Sequence, residues 1–196
     1  MANMPILCRG IMAMRNLALA GAAFVVAASA AHAEPLTLTS PDLAPGARIG
    51  DAQVGDRFGC VGPNRSPALI WSNAPAGAKS FAISLFDPDA PTGAGLWHWM
   101  IFDIPRNATS LPLGAGDPQA ALAPEGAIEG RNDAGVIGYF GPCPPQGDKP
   151  HRYRFEIDAL DVATLGLDAG ATAAAIAERL HRHTLAKATL IGIWGR

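Results

Sequence analysis

Charge is scarce in this chain. Only 16% of its residues are Asp, Glu, Lys or Arg, and the 15 basic residues do not outnumber the 17 acidic ones. That balance excludes the basic patch or stripe that marks a nucleic-acid or anionic-membrane partner. Aromatic residues are also few, at 7% with two tyrosines, and the three cysteines exclude a disulfide-dense scaffold. Internal repeats, low-complexity tracts and linkers are absent, which excludes solenoid architectures and a multidomain reading. A Gly-x-Ser-x-Gly elbow and a His-Glu-x-x-His pair are missing too, so neither of these hydrolase patterns is available.

The first 33 residues differ from the rest. They contain Arg9 and Arg15 and no acidic residue, run apolar from Leu17 to Ala31 apart from Ser29, and end in Ala31-His32-Ala33. A basic start, a short apolar run and a small-x-small terminus describe a secretory signal peptide cleaved after Ala33. The run is too short and Ala-rich for a hydrocarbon core that needs about 20 apolar residues. Translation starts at Met1, Met12 or Met14, and Cys8 precedes the apolar run, so it is not a lipoprotein acceptor. Removing 33 of the 196 residues leaves 163, with 13 basic and 17 acidic residues and a net charge of −4. The mature chain, 34–196, is then one domain without a transmembrane segment, periplasmic or secreted. Its cysteines fall to an even pair, Cys60 and Cys143. In an oxidising compartment these form a candidate disulfide, the alternative being two free thiols.

The 22 glycines and 17 prolines are scattered, which favours short elements joined by turns. Strand patterns cover Leu36–Thr39, Ser80–Asp87, Trp97–Ile104, His151–Leu160 and Thr189–Trp194. One helix is expected from about Thr172 to Lys187, with Thr172 as its cap and Ile176 and Leu180 on one face. Residues 107–135 lack periodicity and read as surface loop. The fold class is mainly β with a few peripheral helices.

Strand alternation places side chains at i and i+2 on one face. Arg152, Arg154, Glu156 and Asp158 make a wet face, so His151 and Tyr153 point inward with Phe155 and Ile157. Asp87 closes the apolar row Phe81, Ile83, Leu85, where ionisation is costly without partners. His98 heads the row Met100, Phe102, Ile104, with Trp97, Trp99 and Ile101 on the other face. If these strands are antiparallel neighbours, Asp87, His98, His151 and Tyr153 meet at one sheet edge. Two Pro-rich loops, 87–91 and 138–145, border that edge. Imidazoles, a phenol and loop N–H groups suit an anion such as phosphate, and Gly141 lets backbone approach it closely.

The runs Ser66-Pro67-Ala68-Leu69-Ile70-Trp71, Asp87-Pro88-Asp89-Ala90-Pro91, Trp97-His98-Trp99 and Gly141-Pro142-Cys143-Pro144-Pro145, followed by His151-Arg152-Tyr153, carry a family likeness. In this order they resemble the phosphatidylethanolamine-binding protein family, in its bacterial Raf-kinase-inhibitor-like branch, from about Leu36 to Trp194. The resemblance implies antiparallel β-sheets packed together, peripheral helices, a C-terminal helix followed by a short strand, and an anion pocket. Asp87, His98, Gly141, Pro145, His151 and Tyr153 match the family's pocket positions, and Cys143 falls in the pocket loop. Two departures are Leu96, where this branch usually has a tryptophan, and Ala134, where a large aromatic is common and a neighbouring hollow opens.

Plainer roles compete at several of these positions. His98 taken alone reads better as a core histidine bonded to a carbonyl, Asp89 as a turn-former, and Trp97 and Trp99 as packing residues. His181 and His183 lie two apart on a helix and face different ways, unlike a metal pair. Three chemistries fit the edge cluster. The preferred one is non-enzymatic binding of a small anion, phosphate or a phospholipid headgroup, without cofactor or metal. A hydrolase or lyase using an Asp–His acid–base pair in the same pocket is the alternative. A metal site of Asp87, His98 and His151 has a permissible ligand set but no supporting close spacing. Kinase inhibition does not follow from the family name, because an exported protein does not meet a cytosolic kinase except after delivery into a host.

Overall fold

The computed structural model describes Met1 and residues 34–196; the expected leader falls, beyond Met1, outside the described residues. In chain order the elements are β1 (Thr37–Thr39), β2 (Leu69–Ser72), β3 (Ser80–Asp87), β4 (Leu96–Pro105), β5 (Ser110–Leu111), β6 (Ile128–Glu129), β7 (His151–Leu160), α1 (Ala173–His183) and β8 (Thr184–Trp194). A small antiparallel sheet, ordered β1-β2-β5, packs on a five-stranded antiparallel sheet ordered β6-β4-β3-β7-β8. Leu38, Leu69 and Trp71 from the small sheet meet Phe81, Ile83, Leu85 and Phe155 from the large one. On the other face of the large sheet, Met100, Phe102 and Leu160 are covered by Ile176 and Leu180 of α1. Strands β3 and β4 are thus buried on both sides, as their near-continuous apolar sequences require.

The β3–β4 register contains a bulge that decides where the polar residues go. Leu85 pairs with Trp99 and Phe86 with Trp97, so His98 is an extra residue with no partner of its own. A bulge breaks alternation and re-aims side chains. His98 therefore leaves the expected Met100–Phe102 row, which faces the helix, and points to the same side as Trp99, between the sheets. Trp97 turns to the helix side, where it packs against Phe86 with ring centroids 4.5 Å apart.

Other expectations are also corrected. The helix ends at His183 rather than Lys187, and β8 follows at once. Thr172 caps it by accepting from Ala175 N, but residues 184–188 pair with β7 instead, from Leu160–Thr184 to Ile157–Ala188. Lys187 Nζ donates to Glu156 at 2.8 Å and lies 3.1 Å from Asp158, so tertiary pairing overrides helix propensity. Asp158, which alternation placed on a wet face, is buried and meets Lys187 Nζ at 3.1 Å and the Thr184 hydroxyl at 2.9 Å. Residues 107–135 contribute two short strands, β5 and β6, that extend the sheets.

Trp99 Nε1–H donates to Glu129 Oε2 at 2.7 Å beneath this region, while Glu129 Oε1 has no partner among the described residues. Burial pushes the Glu129 carboxyl up to about 8, against the opposing effect of the Trp99 hydrogen bond. A carboxyl raised in the folded state stabilises fully below its unfolded pKa, and that contribution is lost as pH rises toward 8. Glu129→Gln keeps an acceptor for Trp99 and removes the titration. Urea unfolding at pH 5.5 and pH 8 should therefore show the variant gaining on wild type by up to about 3 kcal/mol. A difference that does not change with pH would contradict this.

Candidate functional site

Asp87 ends β3 at the edge where His151 begins β7, because the two strands are antiparallel. The Asp87 carboxylate is buried and shares its oxygens. Oδ1 accepts from Asp89 N at 2.9 Å, and Oδ2 accepts from His151 Nδ1–H at 2.7 Å. Asp89 is the clasp of the turn that follows. It accepts from Arg152 backbone N, Nε and Nη2 at 2.9, 2.9 and 2.6 Å. These Arg152 hydrogen bonds hold its carboxyl at about 2. Asp89 is a turn-former tied to β7.

His98 is 3% exposed. Its Nδ1 lies 2.8 Å from Phe140 O, an atom that can only accept, so Nδ1 carries the proton. The ring stacks on Phe140 with centroids 5.1 Å apart and presents an edge to Tyr153 at 5.3 Å. Burial pushes the imidazole below its ordinary 6.5, opposed by the Phe140 bond and the Asp87 charge. The neutral ring keeps a lone pair on Nε2, which lies 3.9 Å from Asp87 Oδ2. Tyr153 is 0% exposed, and its hydroxyl has no hydrogen-bond partner among the described residues. Burial and the nearby Asp87 charge push the phenol well above its usual range.

Asp87, His98, Cys143, Pro145, His151 and Tyr153 line one cavity of about 400 Å³. The polar groups are its buried part, and Leu96, Pro91, Pro144 and Phe58 supply apolar wall. Leu96 stands opposite Asp87 in the register. Ala134 lines none of the cavities described. Gly141 also lies off the cavity wall. Its N–H donates to Asn64 Oδ1 at 2.8 Å, and a Cβ there would sit 2.0 Å from Gln53 O. The close approach at Gly141 is to the chain at 53–55, not to a ligand. The Phe140 N–H is likewise taken, by His98 O at 2.9 Å. The loop amides at 140 and 141 are therefore occupied within the protein.

Cys143 is joined to Cys60 in a disulfide, so no thiol is present at the rim. The bridge brings the loop carrying Phe58, which is 66% exposed and packs edge-on to Phe140 at 5.5 Å. Arg196 completes the rim by donating from Nε to Pro144 O at 2.7 Å and from Nη2 to Phe58 O at 3.3 Å. Among the described residues it is the only Lys or Arg on the cavity wall, and it carries no motif that the sequence alone singles out. The signal was available in register form. Trp194 pairs with His151, which carries the end of β8 to the same edge. Among the described residues, no group of three or more His, Cys, Asp or Glu could hold a metal ion, and no helix is long and apolar enough to cross a membrane.

These features define a mainly β, two-sheet protein with a ligand-sized cavity at one sheet edge. The family pattern for phosphatidylethanolamine-binding protein matches residues 39–195, and the chain belongs to that family. It is similar to YbcL of Escherichia coli strain K12, with 41% identity over 164 residues that cover 84% of this chain and 90% of YbcL. The YbcL crystal structure matches with a TM-score of 0.81, covering 83% of this chain and 99% of that one. The Mycobacterium tuberculosis putative lipoprotein LppC is 39% identical over 160 residues, covering 82% of this chain and 72% of LppC. The structure of CT736 from Chlamydia trachomatis matches with a TM-score of 0.69 at 32% identity, covering 83% of this chain and 98% of that one.

Proposed function

We propose that this protein is an exported, non-enzymatic binding protein whose sheet-edge cavity takes a small anion, phosphate or a phosphorylated headgroup. The observation that carries the reading is the Tyr153 hydroxyl, a fully buried donor without a hydrogen-bond partner among the described residues, beside His98 and Asp87. A buried polar group left unsatisfied costs about 1–3 kcal/mol, which a ligand oxygen would recover. Arg196 adds a cation at the rim. The apolar wall suits the carbon portion of a phosphoester.

The cavity also imposes a condition. Neutral His98 presents a lone pair at Nε2, next to the Asp87 carboxylate. An anion approaching both would meet two acceptors. It binds well only when one proton enters with it, on Nε2 or on the anion itself. A Cys143 nucleophile and an Asp87–His98 acid–base pair are disfavoured, because Cys143 is in a disulfide and the Asp87–His98 separation is too long for a hydrogen bond. Export is supported by the residues 1–33 pattern, by the Cys60–Cys143 bridge and by the lipoprotein name of LppC.

Calorimetry with dimethyl phosphate tests the pocket, since that ion keeps a single charge across the range used. The free-state His98 pKa lies below 6.5 and rises on binding, so affinity should weaken by about tenfold or more between pH 5.5 and pH 8. His98→Gln should flatten that dependence. No heat and no shift in His98 or His151 resonances at millimolar anion would sink the reading, as would an affinity independent of pH. Turnover of an activated ester, lost in His98→Ala, would favour the acid–base alternative. For export, mass spectrometry of protein recovered outside the cytoplasm should find Glu34 at the N-terminus; retention of residues 1–33 would contradict it.

A further inference from the structure

A second cavity, of about 650 Å³, lies between the loops at 56–65, 113–122 and 136–139. It stands back to back with the first. Tyr139 lines it, while the next residue, Phe140, lines the His98 cavity. Asn64 holds the dividing segment from the far side, donating to Tyr139 O at 3.2 Å and accepting from Gly141 N.

The walls carry charges that the protein does not itself neutralise. Arg65 forms no ion pair among the described residues, and Arg57 meets only its neighbour Asp56, with Nε 3.5 Å from Oδ1. Across the cleft, Asp117 uses Oδ1 to accept from Gln119 N at 2.9 Å and forms no ion pair among the described residues either. Two opposite charges thus line one cavity without pairing with each other. The same wall carries two exposed apolar side chains, Leu122 and Ile137, 46% and 37% exposed.

This combination selects a ligand class. A uniformly anionic molecule is attracted by Arg57 and Arg65 but opposed by Asp56 and Asp117. A uniformly cationic one meets the reverse. A molecule with a carboxylate at one end, an ammonium at the other and an apolar body satisfies both poles and covers Leu122 and Ile137. A guanidinium is suited to the planar carboxylate. The volume falls within the range of small-molecule sites, about 300–1,000 Å³. We infer that the Arg65–Asp117 cleft is a second binding site, which takes a zwitterionic amino acid or short peptide with apolar side chains. It is independent of the anion reading, since it shares no lining residue with the His98 cavity.

The probe is the dipeptide leucyl-leucine, titrated into the whole mature chain and followed by the methyl resonances of Leu122 and Ile137. Millimolar dipeptide should shift them, and its N-acetylated, C-amidated form should not. Arg65→Ala and Asp117→Asn should each weaken binding by about tenfold, the loss of one charge-assisted hydrogen bond. Both wild-type side chains are exposed, and the carboxamide introduced by Asp117→Asn retains an oxygen for the Gln119 turn, so unchanged melting curves are expected. Dimethyl phosphate should neither shift these methyls nor compete. Failure of the phosphate titration alone would leave this inference standing. It is overturned if leucyl-leucine shifts nothing, if the capped peptide binds equally, or if either variant binds as wild type does.

Discussion

The bulge at His98 is the constraint on which the pocket depends. With regular alternation, Trp97 and Trp99 would share one face of β4 and His98 would sit with Met100 under the helix. The extra residue instead sends His98 and Trp99 to the same side. Trp99 then reaches Glu129 and the ring of Tyr139, and His98 reaches Phe140 O and the Asp87 cavity. One irregularity in one strand serves two buried hydrogen bonds, each of which would be costly to leave unmade. It also places an imidazole where only one ring nitrogen is left for a ligand.

Around that nitrogen, the rim is held by contacts between segments far apart in sequence. Asp89 clasps Arg152, the disulfide joins residues 60 and 143, and Arg196 spans Pro144 and Phe58. Each link fixes a loop that has little secondary structure of its own. A rigid rim limits the ordering that binding would otherwise require, which favours affinity in a small cavity. Phe140 connects this rim to the core, because its carbonyl sets the His98 tautomer while its ring stacks on the same imidazole.

Much of this was legible in the sequence, for identifiable reasons. Antiparallel pairing brings the end of β3 and the starts of β4 and β7 to one edge, so the meeting of Asp87, His98, His151 and Tyr153 follows from strand ends alone. The inward face of β7 followed from its alternation of charged and apolar residues. What alternation could not supply was the bulge, since it arises from the register between two strands. A glycine permits close approach to a ligand, whereas the neighbour that crowds Gly141 is Gln53, a partner set by tertiary packing. Residues 184–188 read well as helix in isolation, whereas their pairing with β7, which ends α1 at His183, is non-local. Arg196 reaches the rim through the register of β8 with β7, which is non-local, and the Arg65–Asp117 cleft is a product of loop packing.

The central claim is that the cavity presents a neutral His98 with its proton on Nδ1 and its Nε2 lone pair beside Asp87. Long-range ¹H–¹⁵N correlation spectra of the imidazole rings read this directly in the free protein. The account predicts a neutral His98 ring at pH 7, protonated on Nδ1, with Nε2 resonating as an unprotonated nitrogen. A charged ring at that pH, or a proton on Nε2, would contradict it.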